Sequence, residues 1–478
     1  MRGRLESFVA VLAGAALLPA VASVLFAATR PAPCDRPELT AAIGADQPAA
    51  QRTGPDRLTI VLAGDTGFNT TDAKVDPKGI HKGNQVTRFA DTLAGVESAV
   101  DGDLAFVNLE TVVTDRNDLP PQGRGKGTFH FRSDPAAVKA LIDTGFNLFS
   151  LANNHAYDYG PQGIEETLYH LAVANTKQPI AFAGIGSNFD EATRPGCLDV
   201  GGARIGFSAI GITTGDQPQS RAGANKAGQA SYRNRPDFMA VVDKLVSMPA
   251  DYRILSIHYG LEGRVVPDER QLADWRKFAG EAKGIDLIVG HHPHVAQGVE
   301  LNGKSLIFYG LGTFMHPGTV EPARFGICRD YGLMAKVHLA RVDGAFRVEA
   351  IEAIPLTDTQ TRPERFAAEQ GAKRIYALNH LAAGLDDGKN AKGVRFAPRP
   401  DGSGLYCAEG AAALGGEIGT LCQGFQQPSE PDEALAAQIA SACEDKPYGK
   451  PALVKRRVPQ KRRASPSSAS PFGAVGPQ

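Results

Sequence analysis

Five short polar clusters constrain this chain more than anything else in it: Gly64-Asp65, Asn108-Leu109-Glu110, Ala152-Asn153-Asn154-His155, His258-Tyr259-Gly260-Leu261-Glu262 and Gly290-His291-His292-Pro293-His294. Each follows an apolar run of strand character, at 58–63, 104–107, 146–151, 253–257 and 285–289. Helical patterns lie between them, at 88–100, 135–143, 161–174, 237–247 and 268–283. Further strands are predicted at 180–183, across Gly201-Gly202 to Ile210, and at 305–309, 333–339 and 346–353. Such alternation, giving way to strands, predicts an α/β or mixed-sheet core with helices outside. Ligands of open α/β sheets collect beyond the carboxyl ends of the strands, so all five clusters are expected at one crevice.

The residue types suit a pair of divalent metals. Asp65 directly follows a strand, although a lone Gly-Asp is more often a cap or turn. Asn108 with Glu110 is equally weak alone. Asn154-His155 says more, because an amide oxygen can ligate a metal while the neighbouring imidazole protonates a leaving oxygen. His292-Pro293-His294 is the sharpest signal: alternate residues extending from a strand share a face, which would bring two imidazoles into one site. His291 is a third candidate, and His292 with His294 is the preferred pair. His258 adds another imidazole, with Glu262 as the carboxylate to orient it.

Composition sets the surroundings. The 478 residues are 42% hydrophobic, enough for one large core with appendages, and the net charge of −1 gives no global attraction to nucleic acid. Arg2 and Arg4 precede an uncharged apolar run reaching Ala28, which reads as a secretion signal or an uncleaved anchor sending the rest out of the cytoplasm. Cysteines at 34, 197, 328, 407, 422 and 443 agree with an oxidising compartment, and their spacing leaves the pairing open. The expected division is a signal or anchor at 1–28, a spacer at 29–55, a main α/β domain at 56–356, a cysteine-containing extension at 357–445, and a basic, Pro/Ser-rich tail at 446–478.

Over residues 58–355 the chain resembles the CapA family of capsule-synthesis proteins, associated with poly-γ-glutamate and related to calcineurin-like metallophosphoesterases. The matching stretches are the five clusters together with Phe131-Arg132-Ser133-Asp134-Pro135, Asp158-Tyr159-Gly160, Gly184-Ile185-Gly186, Glu191-Ala192 and Tyr309-Gly310-Leu311-Gly312-Thr313-Phe314. The resemblance implies an αββα sandwich, with Asp65, Glu110, Asn154, His258, His292 and His294 holding one or two divalent ions (Mn, Zn or Fe) and His155 as general acid. Arg132 is a candidate clamp for a phosphate or carboxylate, Asp158 an orienter of the His155 loop, and 309–314 a structural turn beneath the site. Departures matter too. Metallophosphoesterases usually place a His two residues after the first Asp, where this chain has Gly67, and Asn108-Leu109-Glu110 replaces the usual second Gly-Asp.

The expected function is therefore that of an extracytoplasmic, cell-envelope protein in capsule or related surface-polymer synthesis, acting as a metal-dependent hydrolase on an anionic polymer. The alternative is a non-catalytic, membrane-tethered export or assembly factor. Partners would be poly-γ-glutamate or a cell-wall or phosphoester substrate, the membrane through the N-terminal segment, and a capsule-synthesis membrane complex; no nucleic acid is expected.

Overall fold

A computed structural model describes residues 56–82, 85–123, 128–212, 218–279, 284–320 and 322–445. The expected signal or anchor, the spacer and the basic tail lie outside these residues. No helix among the described residues is long and apolar enough to cross a membrane.

Two mixed sheets stack face to face. In the first, Arg57–Thr66 is central, with Leu104–Leu109, Leu148–Ser150 and Ala181–Ala183 following in parallel on one side. On its other side the long antiparallel pair Gly332–Val342 and Ala345–Thr357 continues the sheet. The second sheet runs Gly196–Val200, Ala203–Ile210, Tyr252–His258, Leu287–His291, Ser305–Phe308, Val299–Asn302 and Ala391–Gly393. Its four middle strands from Ala203 to Phe308 are parallel.

Strand alternation sorts the side chains into layers. Leu58, Ile60, Leu62 and Phe106 of the first sheet meet Phe207, Ile254, Val289 and Phe308 of the second in one buried core. Val61, Ala63, Val107 and Phe149 point the other way, against Val138 and Leu141 of the helix Pro135–Thr144 and Ile164 and Leu168 of the helix Gly160–Asn175. Beyond the second sheet, Leu255, Ile257 and Ile288 pack on Phe238 and Val241 of the helix Arg235–Ser247 and on Trp275 of the helix Glu269–Phe278. The result is a four-layer αββα sandwich.

Two elements differ from expectation. The helix read over 88–100 is only Phe89–Leu93 followed by a turn at Glu97–Ala99. Gly95 lies between them with its α-carbon against the 363–364 backbone, where a Cβ would come within 2.6 Å of the Pro363 carbonyl oxygen. The cysteine-containing extension is woven into both sheets: Gly404–Cys407 pairs with the Ala345–Thr357 strand, and Ala391–Gly393 extends the second sheet. Disulfides Cys407–Cys422 and Cys328–Cys443 fasten its ends.

Candidate metal centre

The parallel strands of both sheets end at one cleft, which gathers every predicted ligand. From the first sheet come Asp65 at the end of the central strand and Glu110 just past the next, held by the Glu110 N–H donating to Thr66 O at 2.8 Å. From the second come His258 and His291, last residues of neighbouring parallel strands and paired in register. Close backbone approach makes two glycines necessary. A Cβ at Gly64 would lie 1.9 Å from Gly312 O, and one at Gly290 would lie 2.1 Å from Tyr309 O. The 309–314 turn therefore wedges directly beneath Asp65, with Thr313 in register beside it.

His292 and His294 arrive differently from expectation. The strand stops at His291, and both later residues have left-handed backbones, at φ 95° and 56°. Two kinks, rather than strand alternation, turn both imidazoles toward the carboxylates. Non-glycine residues held at positive φ are costly, and such strain gathers at functional sites.

Two overlapping groups result, Glu110 with His258 and His292, and Asp65 with Glu110 and His294, each with its ligand atoms within 4.8 Å of one another. Glu110 belongs to both. Asp65 lies 3.2 Å from His291 Nδ1 and 3.1 Å from His294 Nδ1, and Glu110 Oε1 lies 3.5 Å from His258 Nε2 and 3.8 Å from His294 Nε2. Asn154 Oδ1 approaches His258 Nε2 at 2.6 Å. Both Glu110 oxygens, both His291 ring nitrogens and Nδ1 of His292 and of His294 are buried without an aligned hydrogen bond. Buried polar atoms are rarely left so. Lone pairs that converge without donors between them are the arrangement a divalent cation satisfies, and the carboxylate, imidazole and amide donors suit Mn, Zn or Fe.

Electrostatics follow from the partners. Burial alone would raise the Asp65 carboxyl, but the imidazoles of His291 and His294 outweigh it and hold it well below its usual range. Asp65 also accepts from Asn108 Nδ2 at 2.9 Å and from the His292 N–H at 3.3 Å. Glu110 has no such donors, and burial pushes it up to about 8. Burial drives His258 well down and His292 down to about 4, aided by neighbouring imidazoles, whereas at His294 the Glu110 and Asp65 carboxylates overcome burial and raise the ring to about 10.

His155 stands at the edge of this centre, its Nε2 4.0 Å from Glu110 Oε1. Its Nδ1 is 2.8 Å from Asp158 Oδ2, which also accepts the Phe131 N–H at 2.7 Å. Burial opposes the imidazolium, yet the charge and hydrogen bond of Asp158 raise the His155 pKa overall. Asp158 thus orients the ring and favours its charged form. Asn153 Oδ1 accepts the His155 N–H at 3.1 Å and steadies the loop.

Two expected roles change. Arg132 is no clamp at the centre: its guanidinium donates to Ala73 O and Arg116 O and covers the Tyr159 ring, so it joins three backbone segments away from the ligands. Glu262 is exposed, and the group that contacts His258 Nδ1 is the Asn108 amide at 3.2 Å.

One residue escaped the sequence reading. His316 follows the strand Thr313–Met315 and fills the space beside Gly67, where a Cβ would sit 2.6 Å from His316 Nε2. Its Nδ1 accepts the Gly318 N–H at 3.1 Å, so Nε2 carries the proton and faces Glu110 O at 3.3 Å. Burial pushes it down to about 3. This neutral ring braces the Glu110 backbone. The available signal was the strand itself, since a short strand parallel to the first must deliver its next residue to the same cleft.

A calcineurin-like phosphoesterase of solved structure, YfkN from Bacillus subtilis, aligns over 68% of this chain and 97% of that chain with 14% identity and a TM-score of 0.35. The PGA biosynthesis protein CapA of Bacillus subtilis is 26% identical over 356 residues, covering 72% of this chain and 84% of the relative. The capsule biosynthesis protein CapA of Bacillus anthracis is 32% identical over 190 residues, 39% of this chain and 44% of the relative. The family described as bacterial capsule synthesis protein PGA_cap matches residues 59–317. Since that match spans more than half of the sequence and contains every cluster at the cleft, the chain belongs to the PGA_cap family of bacterial capsule synthesis proteins.

Proposed function

We propose that this chain is an extracytoplasmic, metal-dependent hydrolase that acts on an anionic surface polymer, poly-γ-glutamate or a related chain, during capsule synthesis. The carrying observation is the pair of ligand groups sharing Glu110, with His155 and Asp158 beside them. The polymer class rests on family membership and on the names of the two Bacillus relatives.

In this reading Asp65, Glu110, Asn154, His258, His292 and His294 hold one or two divalent ions. A cation bound there supplies Lewis acidity, which acidifies water and polarises a scissile phosphoryl or acyl group. His155, its charged form favoured by Asp158, donates its Nε2 proton to the leaving atom. Asn108 keeps Asp65 and His258 in place. Phe131, whose ring lies 4.5 Å from His155 and 4.6 Å from His316, covers the inner side of the acid.

A second reading has its own support. Gly67 supplies no imidazole, and the His316 ring that fills its place is engaged with backbone groups through both nitrogens. One group short of a ligand could serve polymer binding without turnover, in a membrane-tethered export or assembly factor.

Elemental analysis of the purified chain beside the His292→Ala/His294→Ala variant, with the same samples assayed on poly-γ-glutamate and a generic phosphodiester, separates these readings. Bound metal with metal-dependent cleavage, both lost in the variant, supports the hydrolase. Metal with polymer binding but no cleavage moves the function to assembly, and protein that takes up no metal overturns both.

A further inference from the structure

Gly184-Ile185-Gly186 supplies no ligand, yet it lies beside the loop that carries Asn154 and His155. Ile185–Gly186 pairs antiparallel with Gly228–Gln229, which sets Ile185 opposite Gln229. Gln229 is only 1% exposed, and its Nε2 donates to Asn153 O at 2.7 Å and to Ile212 O at 3.2 Å. We propose that Gln229 is a positioning residue of the metal centre: it clamps the Asn153 peptide, and through that peptide presents Asn154 to the cation and aims His155. The clamp stands on its own geometry, whereas its consequence for metal and catalysis rests on the hydrolase reading.

The Ala152–Asn153 backbone is enclosed on several sides. A Cβ on Gly184, where φ is 114°, would lie 2.6 Å from Ala152 Cβ and 2.8 Å from Ala152 N. One on Gly211 would lie 2.7 Å from both Ala152 C and Asn153 N, and 2.4 Å from Gln229 Oε1. Glycine at these two positions lets neighbouring strand ends close on the loop. Asn153 O belongs to the peptide bond that leads into Asn154, so a donor fixed there sets the plane from which Asn154 departs. Gln229 is itself held: the Ala222 N–H donates to Gln229 O at 2.9 Å, and a Cβ on Gly228 would meet Ser220 O at 2.3 Å.

Asn153 distributes the constraint. Its Nδ2 donates at 2.7 Å to Leu109 O, the carbonyl just before Glu110, and its Oδ1 accepts the His155 N–H at 3.1 Å. Asn153 O also accepts the Ala156 N–H at 3.4 Å. One buried amide therefore bears on the loop of Asn154 and His155 and, through Asn153, on the chain entering Glu110. Two carbonyls dictate its orientation, since the flipped amide would set oxygen against oxygen. In that orientation Gln229 Oε1 is buried without a hydrogen-bond partner. An apolar side chain of similar length would spare that cost and leave both carbonyls without their donor. Groups that orient metal ligands in this way typically change metal affinity or activity by about 10- to 100-fold.

Two full-length variants test the clamp. Gln229→Met keeps the side-chain length and removes both donors, and Gln229→Asn keeps the amide but withdraws it by one methylene, so one remains where the other fails to fold. Calorimetric titration of the stripped proteins with Mn should show affinity about tenfold weaker than in the parent. Because the clamp acts through Asn154, Asn154→Ala/Gln229→Met should bind no more weakly than Asn154→Ala alone. A merely structural role would weaken both backgrounds equally, and that additive loss, or parental affinity in both folded variants, overturns the positioning role. Hydrogen exchange of the chelated proteins supplies a readout without metal: the His155 and Ala156 amides should exchange about tenfold faster in each variant while 433–442 keeps its parental rates. Unchanged exchange at 155 and 156 overturns the clamp. A parent that takes up no Mn overturns the hydrolase reading and the role given to Asn154, while exchange still decides the clamp.

Discussion

Asp286 illustrates how a single half-buried carboxyl can cost stability. It sits just before the strand Leu287–His291 and accepts the Arg253 N–H at 2.8 Å, which registers two strands that carry ligands. Burial outweighs that hydrogen bond and the Arg253 charge, raising Asp286 to about 6. The ordinary value is near 3.9. Below both values the group is protonated folded or unfolded and costs nothing. As pH rises past 3.9 toward 6 the unfolded chain ionises first, so stability falls, and above 6 the full cost persists. Asp286→Asn keeps an acceptor for Arg253 and is expected to stabilise the fold by about 1–2 kcal/mol at pH 7.5, and much less at pH 4.5. Urea melts at the two values check this, and an equal gain at both would refute it. Gly64 makes a steric counterpart: with Gly312 O in the space of its missing Cβ, Gly64→Ala should lower stability by about 3 kcal/mol or more in the same melts. Residues of the first kind are invisible in a sequence, because a carboxyl's burial is set by strands brought together from afar. Arg132 is similar: its motif was readable, but the carbonyls it serves lie on segments 16 and 59 residues away.

Elements were legible where their information is local. The Asp134-Pro135 start of a helix is visible in sequence, and in the structure Asp134 accepts the Ala136 N–H with Pro in the first turn. Apolar runs ending in polar clusters likewise marked the strands that deliver the ligands. The extension beyond residue 356 was opaque for the opposite reason: Gly404–Cys407 becomes a strand by pairing with residues 350–353 on one side and 397–398 on the other, and short glycine-containing runs carry little strand signal of their own. What fastens its last helix, Glu433–Ala442, is equally non-local. The Arg329 guanidinium donates to Ala442 O at 2.6 Å, Glu444 O at 2.7 Å and Gly263 O at 2.9 Å, so one planar fork joins that helix end to the loop following His258. Arg329→Ala leaves these carbonyls without their donor and should cost about 2–4 kcal/mol. Arg329→Lys should rescue little of it, since a single ammonium cannot reproduce the fork. Hydrogen exchange over 433–442 reads the loss, and full protection in the lysine variant would show that charge alone suffices.

At the scale of the whole molecule, the candidate metal centre lies across the seam of the sandwich. Asp65, Glu110 and Asn154 belong to the first sheet and its loops, while His258, His292 and His294 belong to the second. A cation held by both groups therefore joins two sheets otherwise united by their apolar faces, and its binding energy becomes folding energy for the pair. Several buried oxygens and nitrogens there have no aligned hydrogen-bond partner, and a cation would satisfy them in the folded state alone. Chelation should accordingly lower the melting temperature of the entire domain in one cooperative transition. By mass action, free metal at a hundred times its dissociation constant stabilises by about 2.7 kcal/mol. Because Glu110 serves both groups, Glu110→Gln should abolish most of the metal-dependent rise, whereas His294→Ala leaves the His258 and His292 group intact and should retain part of it. Calorimetry of the three proteins with added Mn and with chelator makes the comparison. If the metal-dependent rise were confined to a separate low-temperature transition, or were the same in Glu110→Gln as in the parent, the centre would not be the clasp between the sheets.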